Sequence, residues 1–170
     1  LQLPGGGRPG GRPWVSAPRT YRAGEGGADR VAEELARARR PLIVAGRYGV
    51  PAAEDRSGPA LASFAAGGGI PLLADPLSGA RTGPGAVAHY DSLLRAPGFS
   101  ARQAPDLVLR VGDLPTCKPL RQWLAGLDGA RQIALGPQHR WQDPAGVLEL
   151  TLAGELEALL PRQPKLDVAA

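Results

Sequence analysis

The sequence contains no methionine, one cysteine and two histidines, and these shortages narrow the chemistry that it can carry. A single cysteine, Cys117, excludes a disulfide within the chain and any zinc site built on several cysteines. Only His89 and His139 remain as further ligands that bind transition metals strongly. We therefore expect no metal site. The 170 residues suffice for one domain with a buried core.

Aromatic residues are also scarce, at 5% of the chain, and lysine occurs only at positions 118 and 165. The net charge of +4 comes from scattered arginines, apart from the short run Arg37 to Arg40 that closes a predicted helix. A nucleic-acid surface needs a basic stripe and aromatic rings on which bases can stack. The composition favours a solvated, arginine-rich surface instead, and we expect no nucleic-acid partner.

Long apolar runs are missing as well. No stretch approaches the length of a membrane span, and the opening "LQLPGGGRPGGRPW" has no apolar core of the signal-peptide kind. We expect a cytoplasmic protein without a membrane span. The lack of any methionine, an initiator included, predicts that the chain is an excised piece of something longer.

Glycine and proline are abundant, and they mark the ends of the chain. Residues 1–27 are rich in Gly, Pro and Arg with no apolar period, which predicts a linker or an arm lying on another domain. Residues 162–170 have the composition of a second linker. The expected organisation is therefore a central domain over residues 28–161 between two linkers.

Within that domain, short apolar runs alternate with helical stretches. The runs "PLIVAG", "IPLLAD", "DLVLRVG", "RQIALG" and "VLELT" are apolar almost throughout, which is typical of strands buried on both faces of a parallel sheet. The expected fold class is α/β and doubly wound, with a mainly parallel sheet of about five to six strands and helices on both faces.

In such a sheet the ligand site lies beyond the carboxyl ends of the strands. The loop after the first run offers Gly46 and Gly49, but these do not form the G-x-G-x-x-G pattern, and Asp75 is the only acidic residue that ends the next run. A dinucleotide fingerprint is absent. The glycines at 67–69 precede a strand, so we interpret them as a helix stop.

The loop "GDLPTCKPLRQWLAG" carries the strongest candidate residue, Lys118. Asp113 ends a strand, and Pro119 favours the first turn of a helix whose apolar face is formed by Leu120, Trp123 and Leu124. A cation at a helix start opposes the dipole, whereas an incoming carboxylate or phosphate is attracted by both. Two interpretations stay open at this point: anion capture by Lys118, or a merely solvated lysine.

The other loops are less specific. "ADPLSGARTG" contains Arg81 and "GPQHRWQDP" contains Arg140, Trp141 and Asp143, but each is compatible with an ordinary turn. No nucleophilic triad, H-E-x-x-H motif or pair of carboxylates on one helix face is present. The chain is predicted to be catalytically incomplete by itself, so we assign no catalytic residue.

Taken together, these segments resemble a known family. "RPLIVAG", "IPLLADPLSGAR", "AHYDSLLR", "PDLVLRVGDLPTCKPLRQWL" and "HRWQDP" follow the order found in the central domain of the thiamine-diphosphate-dependent 2-succinyl-5-enolpyruvyl-6-hydroxy-3-cyclohexene-1-carboxylate (SEPHCHC) synthases of menaquinone biosynthesis. The most specific piece is "DLVLRVGDLPTCKPLRQWL", in which a strand arginine, a turn and a lysine-proline helix start occur together.

The resemblance implies a Rossmann-like central domain of a three-domain enzyme. Such enzymes decarboxylate 2-oxoglutarate on thiamine diphosphate and add the four-carbon unit to isochorismate. The cofactor and Mg²⁺ would be held by flanking domains of the same chain, the full-length enzyme is expected to be a homo-oligomer, and this domain alone would be inactive and bind no cofactor.

The resemblance also implies a role for the Lys118 loop, from which the family lends a basic residue to the isochorismate side of the active site. Arg121, one turn further along the helix, and Arg81 are weaker candidates for the same substrate contact. An alternative from another class remains, namely an independent α/β module that binds an acidic small molecule or nucleotide.

Overall fold

A parallel β-sheet of seven strands forms the framework of the computed structural model, which describes residues 19–22, 27–48, 56–136, 142–153 and 156–162. The strands are β1 (Arg19–Arg22), β2 (Pro41–Ala45), β3 (Leu72–Ala74), β4 (Ala86–Val87), β5 (Leu107–Val111), β6 (Arg131–Gly136) and β7 (Leu150–Ala153). Their order across the sheet is β1-β7-β6-β5-β2-β3-β4, and every neighbouring pair is parallel. The order reverses direction between β5 and β2, as doubly wound sheets require.

The central strands are buried because both of their faces are covered. All five residues of β2 and all five of β5 are buried, and the two strands pair in register from Pro41 opposite Leu107 to Ala45 opposite Val111. The continuous apolar runs in the sequence correspond to this environment.

Two helical layers of unequal size cover the sheet. On one face lie α1 (Gly27–Arg37), α2 (Ser57–Gly67) and a short 3₁₀ helix (Leu156–Ala158), packed in a core that includes Phe64, Ile43 and Leu109. On the other lie α3 (Tyr90–Arg95), α4 (Phe99–Arg102) and α5 (Lys118–Ala125), packed in a smaller core that includes Val44, Val108 and Leu120. The second layer is built from shorter helices and encloses less apolar side-chain volume.

The α/β class and the parallel, doubly wound sheet predicted from the sequence are confirmed. Two of the seven strands were not among the predicted runs: the two-residue β4, and β1, which lies inside the segment expected to be a linker or arm. β1 pairs with β7 and forms the edge of this domain's own sheet. None of the helices in the described ranges is long and apolar enough to cross a membrane.

Leu109→Ala should destabilise the fold strongly, because Leu109 is fully buried in β5 at 0% exposure. A large-to-small change at such a site costs about 2–5 kcal/mol. Leu77→Ala is the matched control, since Leu77 is 69% exposed and its loss should change the free energy of unfolding by less than about 0.5 kcal/mol. Thermal unfolding followed by circular dichroism should be cooperative in the wild type; similar melting temperatures for the two variants would contradict the assigned core.

Candidate functional site

The loops that follow β2 and β5 cross each other at the carboxyl edge of the sheet. Gly46 N–H donates to the Val111 carbonyl at 2.9 Å, and Asp113 N–H donates to the Arg47 carbonyl at 2.9 Å. A Cβ placed on Gly46 would lie 1.6 Å from the Asp113 carbonyl oxygen, so no side chain fits there. Gly112 adopts φ +75°, a left-handed conformation in which glycine is strongly favoured. These glycines serve backbone packing and not a phosphate cradle.

Asp113 is held from two sides. The Arg47 guanidinium donates to one Asp113 carboxylate oxygen through Nε at 3.1 Å and through Nη2 at 2.9 Å. The Gln142 side-chain amide donates to the other oxygen at 2.7 Å, and the Gln142 amide oxygen accepts the Leu114 N–H. One glutamine thus fixes both the side chain of residue 113 and the backbone of residue 114.

Beneath this loop lies a buried arginine. Arg110, the fourth of the five residues of β5, is 4% exposed, and its guanidinium lies 3.7 Å from the carboxylate of Asp143, which is 3% exposed. Arg110 also donates to the Gln142 carbonyl. Burial lowers the pKa of Arg110, and the neighbouring carboxylate of Asp143 opposes that shift. Because a buried charge needs a compensating partner, Arg110 determines where the 142–143 segment docks.

Asp143 in turn organises the chain that follows it. Its two carboxylate oxygens accept the N–H groups of Val147 at 3.1 Å and Leu148 at 2.9 Å. The side chains of Arg110, Arg121 and Asp143 line a shallow cleft of about 230 Å³ between α5 and this turn.

Lys118 is the first residue of α5, with Pro119 directly after it, as the sequence predicts. Leu120 and Leu124 are buried and Trp123 is half-buried, so the predicted apolar face of the helix is confirmed. The Lys118 side chain is exposed, and it forms no hydrogen bond or ion pair with any residue in the described ranges. It is therefore a cation available at the carboxyl edge of the sheet.

Arg121, on the same helix, forms hydrogen bonds with the loop that precedes it. Its Nε donates to the Pro115 carbonyl at 2.7 Å, and its Nη2 lies 3.4 Å from the Leu114 carbonyl. The guanidinium folds back onto the loop that leads to Lys118 and stabilises that loop. Substrate contact by Arg121 stays a prediction.

Arg81 lies on the far side of β2 from the Lys118 loop, in the connection after β3. Its Nε donates to the Ala74 carbonyl at 3.0 Å, and the residue as a whole is exposed. The neighbouring Asp75 carboxylate caps the 3₁₀ helix Pro76–Ser78 by accepting the Leu77 N–H at 2.9 Å. The Tyr90 hydroxyl lies 3.5 Å from the same carboxylate. Burial and the charge of Asp75 raise the pKa of Tyr90 to about 12.

Cys117 joins the Lys118 loop to α3. Its Sγ lies 3.2 Å from an Asp91 carboxylate oxygen, and Asp91 also pairs with Arg95 at 3.2 Å. Burial, the largest cause, and the Asp91 carboxylate raise the pKa of the Cys117 thiol. The hydrogen bond from Arg95 lowers the pKa of Asp91.

Several predicted loop residues cannot be placed at the site. His139, Arg140 and Trp141 lie outside the described residues, as does Gly49. His89 is exposed at the start of α3. Within the described ranges no group of three or more His, Cys, Asp or Glu side chains could hold a metal ion.

Comparison with known proteins identifies relatives, although no protein-family model matches the chain. The SEPHCHC synthase of Chloroflexus aurantiacus is 39% identical over 128 residues, which cover 72% of this chain and 21% of that protein. The synthase of Halobacterium salinarum is 41% identical over 150 residues, covering 83% and 24%. That of Geobacillus thermodenitrificans is 37% identical over 116 residues, covering 66% and 19%.

The chain therefore spans about a fifth to a quarter of the length of the curated relatives it matches. These relatives carry the same name, and the predicted resemblance is confirmed: the chain belongs to the SEPHCHC synthase family as a domain-sized segment.

Alkylation of Cys117 by iodoacetamide should have a pH midpoint above that of a small-molecule thiol, because burial and Asp91 both disfavour the thiolate. Asp91→Asn should lower the midpoint only in part, since burial is the larger cause. Cys117 is the only cysteine, so the rate can be read from the intact mass of the chain. A midpoint at or below that of the free thiol would contradict the described environment.

Proposed function

We propose that this segment of the SEPHCHC synthase family is the central domain of such an enzyme, and that it supplies one substrate contact without performing chemistry itself. In the proposed reaction, 2-oxoglutarate is decarboxylated on thiamine diphosphate and the four-carbon unit is added to isochorismate. Lys118 binds and orients a carboxylate of isochorismate. The chain's other contribution is the rigid framework that holds Lys118.

The observation that carries the proposal is the exposed Lys118 side chain at the start of α5, after a loop whose residues 113–115 are held by hydrogen bonds. Asp113 and Leu114 are fixed by Arg47 and Gln142, and Arg121 donates to the carbonyl of Pro115. Such restraints reduce the entropy lost when a substrate binds. The Lys118 side chain is exposed, whereas the backbone before it is held in place. This combination suits the binding of an anion that another domain presents.

Electrostatics support the same assignment. The first N–H groups of α5 carry the positive end of the helix dipole, and Lys118 adds a full charge at the same end. An ordinary surface lysine would be less stable at this position than at the carboxyl end of the helix. A substrate carboxylate offsets that cost, and a flexible ammonium can reach it without the bidentate geometry that arginine demands.

Thiamine diphosphate and Mg²⁺ belong, in this proposal, to the flanking domains. Mg²⁺ is usually held by one or two carboxylates together with phosphate oxygens, so it would lie where the diphosphate of the cofactor lies. When bound, thiamine diphosphate supplies the electron sink for decarboxylation. We assign no residue of this chain to holding either group.

The partners that follow from the proposal are the flanking domains of the same polypeptide and further copies of it in a homo-oligomer, in the cytoplasm. The competing hypothesis is an independent module that binds an acidic small molecule or nucleotide. A parent reading frame several times longer than 170 residues, with cofactor motifs on both sides, would favour the enzyme; a short reading frame would favour the module.

In the full-length protein, Lys118→Ala should lower kcat/KM for isochorismate by roughly ten- to over a hundredfold, the value of a charge-assisted hydrogen bond. Decarboxylation of 2-oxoglutarate should stay near the wild-type rate, because Lys118 contacts only the second substrate. Lys118→Arg should restore activity in part. Steady-state kinetics with each substrate varied in turn provide the measurement.

Lys165→Ala is the matched control, since it removes the only other lysine of the chain. It should leave both kcat/KM for isochorismate and the rate of 2-oxoglutarate decarboxylation unchanged. An isochorismate kcat/KM that is unaffected in Lys118→Ala would return Lys118 to the role of a solvated surface residue.

The 170-residue chain alone should not bind thiamine diphosphate or convert the two substrates, because the proposal places the cofactor-binding groups elsewhere. Isothermal titration with thiamine diphosphate and Mg²⁺ should give no binding heat, and no product should form from 2-oxoglutarate and isochorismate. Binding in the micromolar range would show that this domain holds the cofactor and would refute its assignment as a non-catalytic central domain.

A further inference from the structure

A large groove lies at the opposite end of the sheet from Lys118. It has a volume of about 870 Å³ and runs along the amino ends of β2 and β3 between the α1–β2 turn and the helices α3, α4 and α5. Leu42, Leu73, Val87, Leu94, Phe99 and Trp123 contribute to its floor and walls. The groove exists because the short helices of the second layer leave this end of the sheet incompletely covered.

Among the described residues, the charged side chains that line the groove are all arginines. Arg37, Arg39 and Arg40 all line it, and within the described ranges no Asp or Glu side chain does. Arg37 pairs with Glu33 on the surface at 3.3 Å, and one Arg40 Nη donates to the Arg102 carbonyl at 2.9 Å. The Arg39 guanidinium forms no hydrogen bond or ion pair within the part of the chain that the structure describes. The rim is therefore cationic, whereas the walls are apolar.

The arginine rim is held in place by a carboxylate just outside the groove. Asp106 accepts the backbone N–H of Arg39 at 2.8 Å and that of Arg40 at 2.9 Å, and its own N–H donates to the Arg40 carbonyl at 3.2 Å. Both oxygens of this carboxylate are thus engaged by backbone amides. The opposite wall is held where Trp123 Nε1 donates to the Ser100 carbonyl at 3.2 Å.

We propose that this groove binds a small amphiphilic carboxylate, with its aliphatic body on the apolar floor and its anionic head at the arginine rim. Sites for small organic ligands usually measure about 300–1,000 Å³ and combine apolar walls with a few polar groups. The groove meets both conditions. A cationic amphiphile would meet repulsion at the rim, and a purely polar anion would leave the apolar walls in contact with water.

The binding can be measured by isothermal titration of the 170-residue chain with dodecanoate below its critical micelle concentration, and by displacement of a fluorescent anionic naphthalene sulfonate. Dodecanoate should bind, and octanoate should bind more weakly, since each buried methylene contributes up to about fourfold in affinity. Dodecyltrimethylammonium has the same tail and the opposite charge, and it should bind at least tenfold more weakly than dodecanoate. It is repelled by three arginines with which dodecanoate can pair, and each exposed ion pair changes the affinity by about 1.5- to fivefold.

Two variants test the location, and each has a matched control. Leu93→Asp places a negative charge in the lining of the groove, at a residue that is already 38% exposed, and it should weaken dodecanoate binding at least tenfold. Leu77→Asp makes the same change at an exposed leucine outside the groove, in the connection after β3, and should have no effect. Arg39→Gln should weaken binding by about two- to fivefold, whereas Arg56→Gln, at the start of α2, should not.

Circular dichroism of each variant provides the check on folding. The proposal is overturned if dodecanoate gives no binding, if the cationic amphiphile binds as well as dodecanoate, or if Leu93→Asp and Leu77→Asp bind it equally. The last result would place any binding elsewhere on the surface. Since the groove is at the opposite edge of the sheet, its occupancy does not depend on the role proposed for Lys118.

Discussion

A buried charge in the central strand is the constraint on which the site depends. Arg110 lies between β2 and β6 with its guanidinium covered, and the loss of its partner would cost about 3–5 kcal/mol. Asp143 and the Gln142 carbonyl provide that compensation and dock the 142–143 segment against β5. Once docked, the Gln142 side chain holds the loop that leads to Lys118. The position of the exposed lysine thus depends on a buried arginine eight residues earlier in the chain.

The sequence was sufficient for the fold class because the central strands satisfy a simple rule. β2 and β5 are apolar almost throughout and are buried on both faces, so their composition alone indicates a parallel sheet. The edge strands do not obey that rule. β1 reads "RTYR" and β4 has two residues, so each is specified by pairing with an adjacent strand and not by an apolar run. Edge strands are therefore harder to predict from sequence than central strands.

In the candidate site, features that depend on neighbouring residues were predictable from the sequence, and features that depend on distant residues were not. The start of α5 at Lys118 was predictable, because the strand end, the turn and Pro119 lie within a few residues of one another. The roles of Arg47 and Gln142 were not, since they reach Asp113 across 66 and 29 residues of chain. The hydrogen bond from Arg121 to the Pro115 carbonyl was also not predictable, because helical periodicity does not show which backbone carbonyl a guanidinium contacts.

The two ends of the sheet are connected by one helix. α5 begins with Lys118 at the carboxyl edge and carries Trp123 onto the wall of the opposite groove. Its eight residues span only about 12 Å at the rise of an α-helix, and Leu120 and Leu124 fix it against the sheet between these points. Because a packed helix moves as a unit, a displacement of α5 that altered the groove would also move the lysine. The second layer therefore leaves the amino edge of the sheet open, and its helix α5 contributes Lys118 at one edge and Trp123 at the other.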